Sequence, residues 1–320
     1  MATFTNAFGP QAIEATYVDH GHVESLFDCG EIEMNHVVAG DRSNPALLLI
    51  PGQTESWWGY ADAIPLLAER FEVHAVDLRG QGRSTRSPGR YTLDLMGSDL
   101  VRFIDGVIGR PTFVSGLSSG GVLSAWLSAY ARPGQVLAAH FEDPPLFSSE
   151  LVPAVGQGLR QSIGPVFELL SRYLGDQWSV GDWEGLLQAI QTTLPPELQF
   201  VAAAFAGGEN PAQTLKEYDP EWARAFWTGT VSSSCSHHRM LSSVRVPVLF
   251  THHFRMEDPS TGRLLGATSD LQAGAVRELV AGTGNPIDYI SLPEMGHSFH
   301  GQDPAAFSET LLGWVGSLGI

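Results

Sequence analysis

Ser118 stands in the run Gly116-Leu117-Ser118-Ser119-Gly120. An apolar stretch, Pro111–Ser115, precedes it, and a helix-patterned stretch, Gly121–Ala131, follows. In that setting a G-x-S-x-G becomes a nucleophile elbow, a strand-to-helix turn too sharp for side chains beside the serine. The hydroxyl is then lifted off a sheet end, free to attack an acyl carbon. Such chemistry needs a base for the hydroxyl proton, an acid to orient the base, and N–H donors for the oxyanion. On this kind of elbow the chain order is serine, then Asp or Glu, then histidine.

The base is read from position, because the chain holds 11 histidines. His297 ends Pro293-Glu294-Met295-Gly296-His297, between the last strand-like run, Asp288–Leu292, and the final helix-like run, about Ala305–Leu318. A loop there can reach over the sheet edge to the elbow. His300 reads as a satisfied surface histidine at the start of a helix. The doublets His237-His238 and His252-His253 lack the frame of a metal site and read as structural or surface residues.

The acid has three sources. The run Val136–Phe141 ends in Glu142-Asp143-Pro144-Pro145, whereas Val246–Thr251 runs into His252-His253-Phe254-Arg255, with Glu257 and Asp258 further out. Glu142 is the preferred choice, with Asp143 and the later Glu257 or Asp258 as alternatives. For the oxyanion, the N–H of Ser119 directly follows the nucleophile. A second N–H comes from Pro51-Gly52-Gln53-Thr54, with Gln53 as the candidate. Each such donor accounts for roughly 10²–10³ in rate.

The surrounding elements must bring these segments together. His22–Cys29 and Glu31–Val38 read as strands, after an N-terminal arm over Met1–His20. Ala46–Ile50 (ALLLI) and Glu72–Asp77 (EVHAVD) have the continuous apolar character of strands covered on both faces. Ala61–Arg70 and Leu93–Val107 have helical spacing. Beyond Phe141 strand-like runs vanish. Val166–Leu174, Trp183–Thr192, Glu197–Phe205 and Glu221–Trp227 are helical and rich in aromatic residues, punctuated by Pro195-Pro196 and Gly207-Gly208. Strand character returns at Val246. The expected architecture is α/β: a mostly parallel sheet flanked by helices, carrying an inserted helical cap. Its bounds are 1–145 and 236–320 for the core and 146–235 for the cap.

Composition removes other classes. The chain has 320 residues, 43% of them hydrophobic, enough for a large core. Its net charge of −17 argues against nucleic acid and anionic membranes as partners. No signal peptide or membrane-length apolar run is visible. Cys29 and Cys235 are too few for a disulfide framework, and the cytoplasm is the expected compartment. No metal or cofactor is called for. Subunit number is open, a homo-oligomer included.

Together these residues resemble the α/β-hydrolase family, in which Asp77-Leu78-Arg79-Gly80-Gln81-Gly82-Arg83-Ser84 matches a frequent companion motif. The likeness runs from about Asp28 to Trp314. Within the family it is to zearalenone hydrolases, lactonases that open a resorcylic macrolactone. It is carried by NPALLLIPGQTESWWGY, VDLRGQGRST, SSGGVLSAWLSAYARPGQ and LKEYDPEWARAF. The resemblance implies a fold of the α/β-hydrolase type, no cofactor, and a small hydrophobic aromatic lactone or ester as substrate. It supports Glu142 as the acid, since fungal lactonases of this activity carry a glutamate after the strand before the lid. The lid tryptophans Trp178, Trp183, Trp222 and Trp227 could stack on an aromatic ring, with Trp183 the preferred contact. Alternatives on the same fold are a general carboxylesterase, a C–C bond hydrolase or a perhydrolase. A non-catalytic receptor built on the scaffold is the alternative of another class. Serine rather than aspartate at the elbow argues against an epoxide hydrolase or dehalogenase.

Overall fold

The computed structural model describes residues 18–175, 181–206 and 211–319. Most of the expected N-terminal arm, Trp178 and Gly207-Gly208 lie outside the described residues.

The strands are β1 (Glu24–Asp28), β2 (Glu33–Ala39), β3 (Ala46–Ile50), β4 (Glu72–Val76), β5 (Thr112–Leu117), β6 (Val136–Glu142), β7 (Val248–His252) and β8 (Ile287–Ser291). They form one sheet in the order β1-β2-β4-β3-β5-β6-β7-β8. β1 and β2 pair antiparallel with each other, as do β2 and β4, and the remaining pairings are parallel. The continuous apolar runs have the expected cause. Ala46, Leu48 and Ile50 face one core cluster and Leu47 and Leu49 face the other, so both sides of β3 are covered. Each such buried leucine contributes about 1.5–3 kcal/mol.

Strand order creates the site. From β3 the chain crosses to β4 on one side, then returns to β5 on the other. The loops leaving β3 and β5 therefore diverge and open a crevice at the carboxyl ends of the strands. The loop after β3 carries Gln53 and the turn after β5 carries Ser118.

Two helices differ from expectation. Ala61–Arg70 shrinks to Ile64–Leu67, with Pro65 in its first turn, the only place where a missing N–H is tolerated. The expected Leu93–Val107 helix is α-helical to Phe103, then closes in a π turn over Ile104–Ile108 before left-handed Gly109.

Between β6 and β7 the described elements are all helical, the longer ones being Gly164–Tyr173, Trp183–Thr193, Pro196–Ala206 and Glu221–Thr228. Phe167 stacks on Phe226 at 5.4 Å between centroids, and Phe226 on Trp222 at 6.2 Å. This layer is pinned to the sheet through one short segment. Glu217 accepts from Ser56 Oγ at 2.8 Å, Asp219 from Tyr91 OH at 2.5 Å, and Trp222 Nε1 donates to Arg79 O at 2.7 Å. No helix among the described residues is long and apolar enough to cross a membrane.

Candidate active site

The turn after β5 is as tight as its glycines require. A Cβ on Gly116 would lie 2.2 Å from Gly120 O, and one on Gly120 would lie 2.2 Å from Ile50 O. Both overlaps are with backbone, so neither position admits a side chain without moving β3 or the elbow. Ser118 itself has φ 54° and ψ −118°, a strained conformation for a residue with a Cβ. It is held by its N–H donating to Glu142 O at 2.8 Å and its carbonyl accepting from Val122 N at 3.0 Å. The helix Ser119–Tyr130 begins at the next residue. Its unpaired N-terminal N–H groups and dipole give the elbow a positive bias suited to a developing anion.

The loop after β3 closes against this turn. A Cβ at Gly52 would sit 3.2 Å from Ser118 Cβ, so glycine lets the two backbones approach. Thr54 takes a left-handed φ of 61°. The Gln53 side chain is tied back, its Nε2 donating to Tyr218 OH at 2.5 Å. Gln53, Ser118, Ser119 and His297 all line one cavity of about 340 Å³.

The carboxylate on His297 is not the expected one. Asp143 Oδ2 accepts from His297 Nδ1 at 2.7 Å, and Asp143 Oδ1 accepts the His253 N–H at 3.1 Å. Glu142 turns instead to His300, whose Nδ1 lies 3.0 Å from both its oxygens. Alternation along β6 is the reason. Ala138 faces the core cluster that holds Tyr60, Phe299 and Phe307, and Glu142, four residues on, shares that face. Asp143 lies just past the strand with φ 40°, and this left-handed turn swings its carboxylate towards the loop after β8. Asp258 lies on an exposed loop, where its Oδ1 accepts from Ser260 and Thr261. Glu257 pairs with Leu264 in an isolated bridge.

Electrostatics sharpen the division between the two dyads. Burial works against a charged His297, but the hydrogen bond and charge of Asp143 outweigh it and raise its pKa above 6.5. Burial alone would push Glu142 up, yet the His300 charge and hydrogen bond hold it down to about 2. His300 is raised to about 10, the Glu142 and Glu55 charges overcoming its desolvation.

Two further expectations are corrected. His300 is fully buried rather than at the surface. Trp183 is buried in the packing of the helical layer and is not part of the cavity wall, and neither Trp222 nor Trp227 is. The aromatic wall is phenylalanine: Phe167, Phe200, Phe205, Phe226 and Phe254. Sequence reasoning also missed His253, whose N–H fixes Asp143. Its signal was the His252-His253 doublet at the end of β7. That doublet is structural, since His252 bonds to Tyr289 OH and Thr268 O, and His253 Nδ1 donates to Gly296 O.

The family model for the alpha/beta hydrolase family matches residues 47–310. The chain belongs to the alpha/beta hydrolase family. Among curated members it is similar to mouse epoxide hydrolase 4, at 26% identity over 160 residues, 48% of this chain and 44% of that protein. It is also similar to 3-oxoadipate enol-lactonase 2 of Acinetobacter baylyi, at 28% identity over 124 residues, 37% of this chain and 45% of the other. These matches span less than half the length of the curated relatives. Among solved structures, the enol-lactonase from Burkholderia xenovorans LB400 superposes with a TM-score of 0.65 at 16% identity, covering 91% of this chain and 99% of that one. At that identity the likeness establishes the α/β-hydrolase fold alone.

Proposed function

We propose that this chain is a serine carboxylic-ester hydrolase that opens an aromatic, resorcylic macrolactone such as zearalenone through an acyl-enzyme. One observation carries the reading. Asp143 grips His297 Nδ1 at 2.7 Å, and the same imidazole shares a phenylalanine-walled cavity with strained Ser118. Residues 146–235 act as the cap that supplies most of that wall.

In this reading His297 Nε2 takes the Ser118 proton as Oγ attacks the ester carbonyl. Asp143 keeps the proton on Nδ1 and stabilises the imidazolium. The N–H groups of Ser119 and Gln53 receive the oxyanion. His297 then protonates the leaving alkoxide, and an acyl-Ser118 ester remains. Water, deprotonated by His297, attacks that ester and releases the acid and free Ser118. In a lactone the leaving hydroxyl stays tethered to the acyl group and can re-attack at high effective concentration. Deacylation then requires the released tail to move within or out of this cavity of about 340 Å³.

The substrate class rests on the sequence resemblance and on the apolar, aromatic wall. Part-length similarity to an enol-lactonase also favours a ring ester. The elbow serine favours acyl transfer over the chemistry named for the epoxide hydrolase relatives. The free, buried thiols of Cys29 and Cys235 suit a reducing cytoplasm.

The test is incubation of wild type and Ser118→Ala with zearalenone, followed by mass spectrometry. Wild type should give the substrate mass plus water, or plus water less carbon dioxide, and Ser118→Ala should give neither while still binding. Turnover by Ser118→Ala removes the serine mechanism. Turnover of simple aryl esters without the lactone moves the chain to a general carboxylesterase.

A further inference from the structure

A buried chain of charge runs behind the cavity and joins the two loops that face each other across it. His300 is its centre. Nδ1 lies 3.0 Å from both Glu142 oxygens, and Nε2 lies 3.2 Å from Glu55 Oε1. Ser298 Oγ is the more distant partner of Nε2, at 3.4 Å. Carboxylate oxygens only accept, so each ring nitrogen carries a hydrogen toward its nearest partner. A histidine with two N–H groups is the imidazolium. The ring stacks on Tyr60 at 3.7 Å between centroids and is fully buried, so its charge is not shared with water.

Both carboxylates hold backbone as well. Glu142 Oε1 accepts the N–H groups of Phe299 at 2.8 Å and His300 at 3.1 Å, fixing the loop that carries His297. Glu55 Oε2 accepts the Gly52 N–H at 2.9 Å, one residue before Gln53. The path is therefore continuous, from the base loop through Glu142, His300 and Glu55 to the loop after β3. Without a cation between them, Glu142 and Glu55 would repel across a low-dielectric interior. Glu55 would then lose its anchor, and the Gly52–Thr54 backbone would lose its restraint.

We infer that His300 is a positioning residue, an imidazolium strut that sets the oxyanion loop against the base loop. It touches neither substrate nor the reacting atoms. Its effect falls on the geometry of the Gln53 N–H, which matters in the transition state more than in substrate binding. The inference rests on the serine-hydrolase reading above.

The experiment compares wild type, His300→Gln, Glu55→Gln and Ser118→Ala on p-nitrophenyl butyrate, with phenylboronic acid as the transition-state probe. The boronate forms its adduct on Ser118 and places an oxygen where the oxyanion forms. Both strut variants should lose about 10–100-fold in kcat, with KM within about threefold. Boronate affinity should fall in step with kcat/KM, while near-ultraviolet circular dichroism stays native. Folded variants that keep kcat within about threefold overturn the strut. So does a loss confined to KM with boronate affinity unchanged. Glu55 is the more exposed partner, so Glu55→Gln decides the matter if His300→Gln does not fold. Undiminished hydrolysis by Ser118→Ala overturns the serine reading and the strut with it, a result distinct from unaffected strut variants.

Discussion

Asp143 and Glu142 are chain neighbours that serve different histidines: Asp143 Oδ2 binds His297 Nδ1 at 2.7 Å, while Glu142 holds buried His300 at 3.0 Å. The two side chains part because β6 ends between them. Under the proposed mechanism, this division separates orienting the base from anchoring the loop that bears it.

The ranking of carboxamide variants follows. Asp143→Asn should cut kcat by about 10³–10⁴, because an amide in place of the carboxylate favours the wrong imidazole tautomer. Glu142→Gln should cost less activity and more stability, since it leaves the buried His300 cation with Glu55 as its remaining carboxylate. Asp258→Asn should stay within about twofold on its exposed loop. Steady-state kinetics and urea unfolding measure both quantities. A larger rate loss for Glu142→Gln than for Asp143→Asn would return Glu142 to the role expected from sequence.

The pH dependence of rate has a defined sign. His297 must be neutral to accept the Ser118 proton, and its pKa lies above 6.5 because Asp143 outweighs desolvation. The acid limb of kcat/KM should therefore have its midpoint above 6.5, with activity rising as pH rises. Asp143→Asn should move the midpoint downward. A wild-type midpoint below 6.5, or one indifferent to Asp143→Asn, contradicts the dyad.

Stability should respond to a different pair of groups. Glu142, lowered from 4.5 to about 2, contributes stability that is present above pH 4.5 and lost as pH falls through about 2. His300, raised from 6.5 to about 10, contributes stability that is complete below pH 6.5 and lost as pH rises through about 10. The Tm difference between wild type and His300→Gln should be largest between pH 4.5 and 6.5 and shrink toward pH 10. A difference that grows with alkaline pH would mean that His300 is neutral in the native state.

Much of this was legible in the sequence because the signals were local. ALLLI and EVHAVD announce strands covered on both faces, and the glycines around Ser118 announce a turn where a Cβ would strike backbone. His297 is marked by its place between the last strand and the last helix. What stayed hidden depended on direction. Glu142 and Asp143 differ by one residue, and the choice turns on where β6 stops and on a φ of 40°. His300 looked exposed because its partners, Glu55 and Glu142, lie far away in the chain. The cap tryptophans could be core or ligand contacts, because periodicity cannot say which side of a helix faces the cavity and which faces its neighbours.

The backbone crowding at the elbow makes a paired test. Gly120→Ala places a methyl 2.2 Å from Ile50 O and should destabilise by about 2–3 kcal/mol or abolish folding. Gly274→Ala, inside the helix Asp270–Ala281 with nothing within 4 Å of the added carbon, should stabilise by about 0.5–1 kcal/mol. Urea unfolding of both variants checks this. A tolerated Gly120→Ala would mean that β3 and the elbow are not in close contact.

The phenylalanine wall separates recognition from packing. Phe200 is 62% exposed yet lines the cavity, so it sits at the mouth. Phe226 is 4% exposed and packs on Phe167 and Trp222. Phe200→Ala should leave stability within about 0.5 kcal/mol and change kcat/KM for bulky aromatic lactones more than for p-nitrophenyl acetate. Phe226→Ala should cost about 3–5 kcal/mol, because the cavity it leaves lies within the cap packing. Urea unfolding and a two-substrate comparison distinguish the two. If Phe200→Ala alters neither substrate, aromatic substrates do not pass that edge of the cavity. If it depresses both equally, Phe200 acts on the cap as a whole rather than on the ring it is expected to meet.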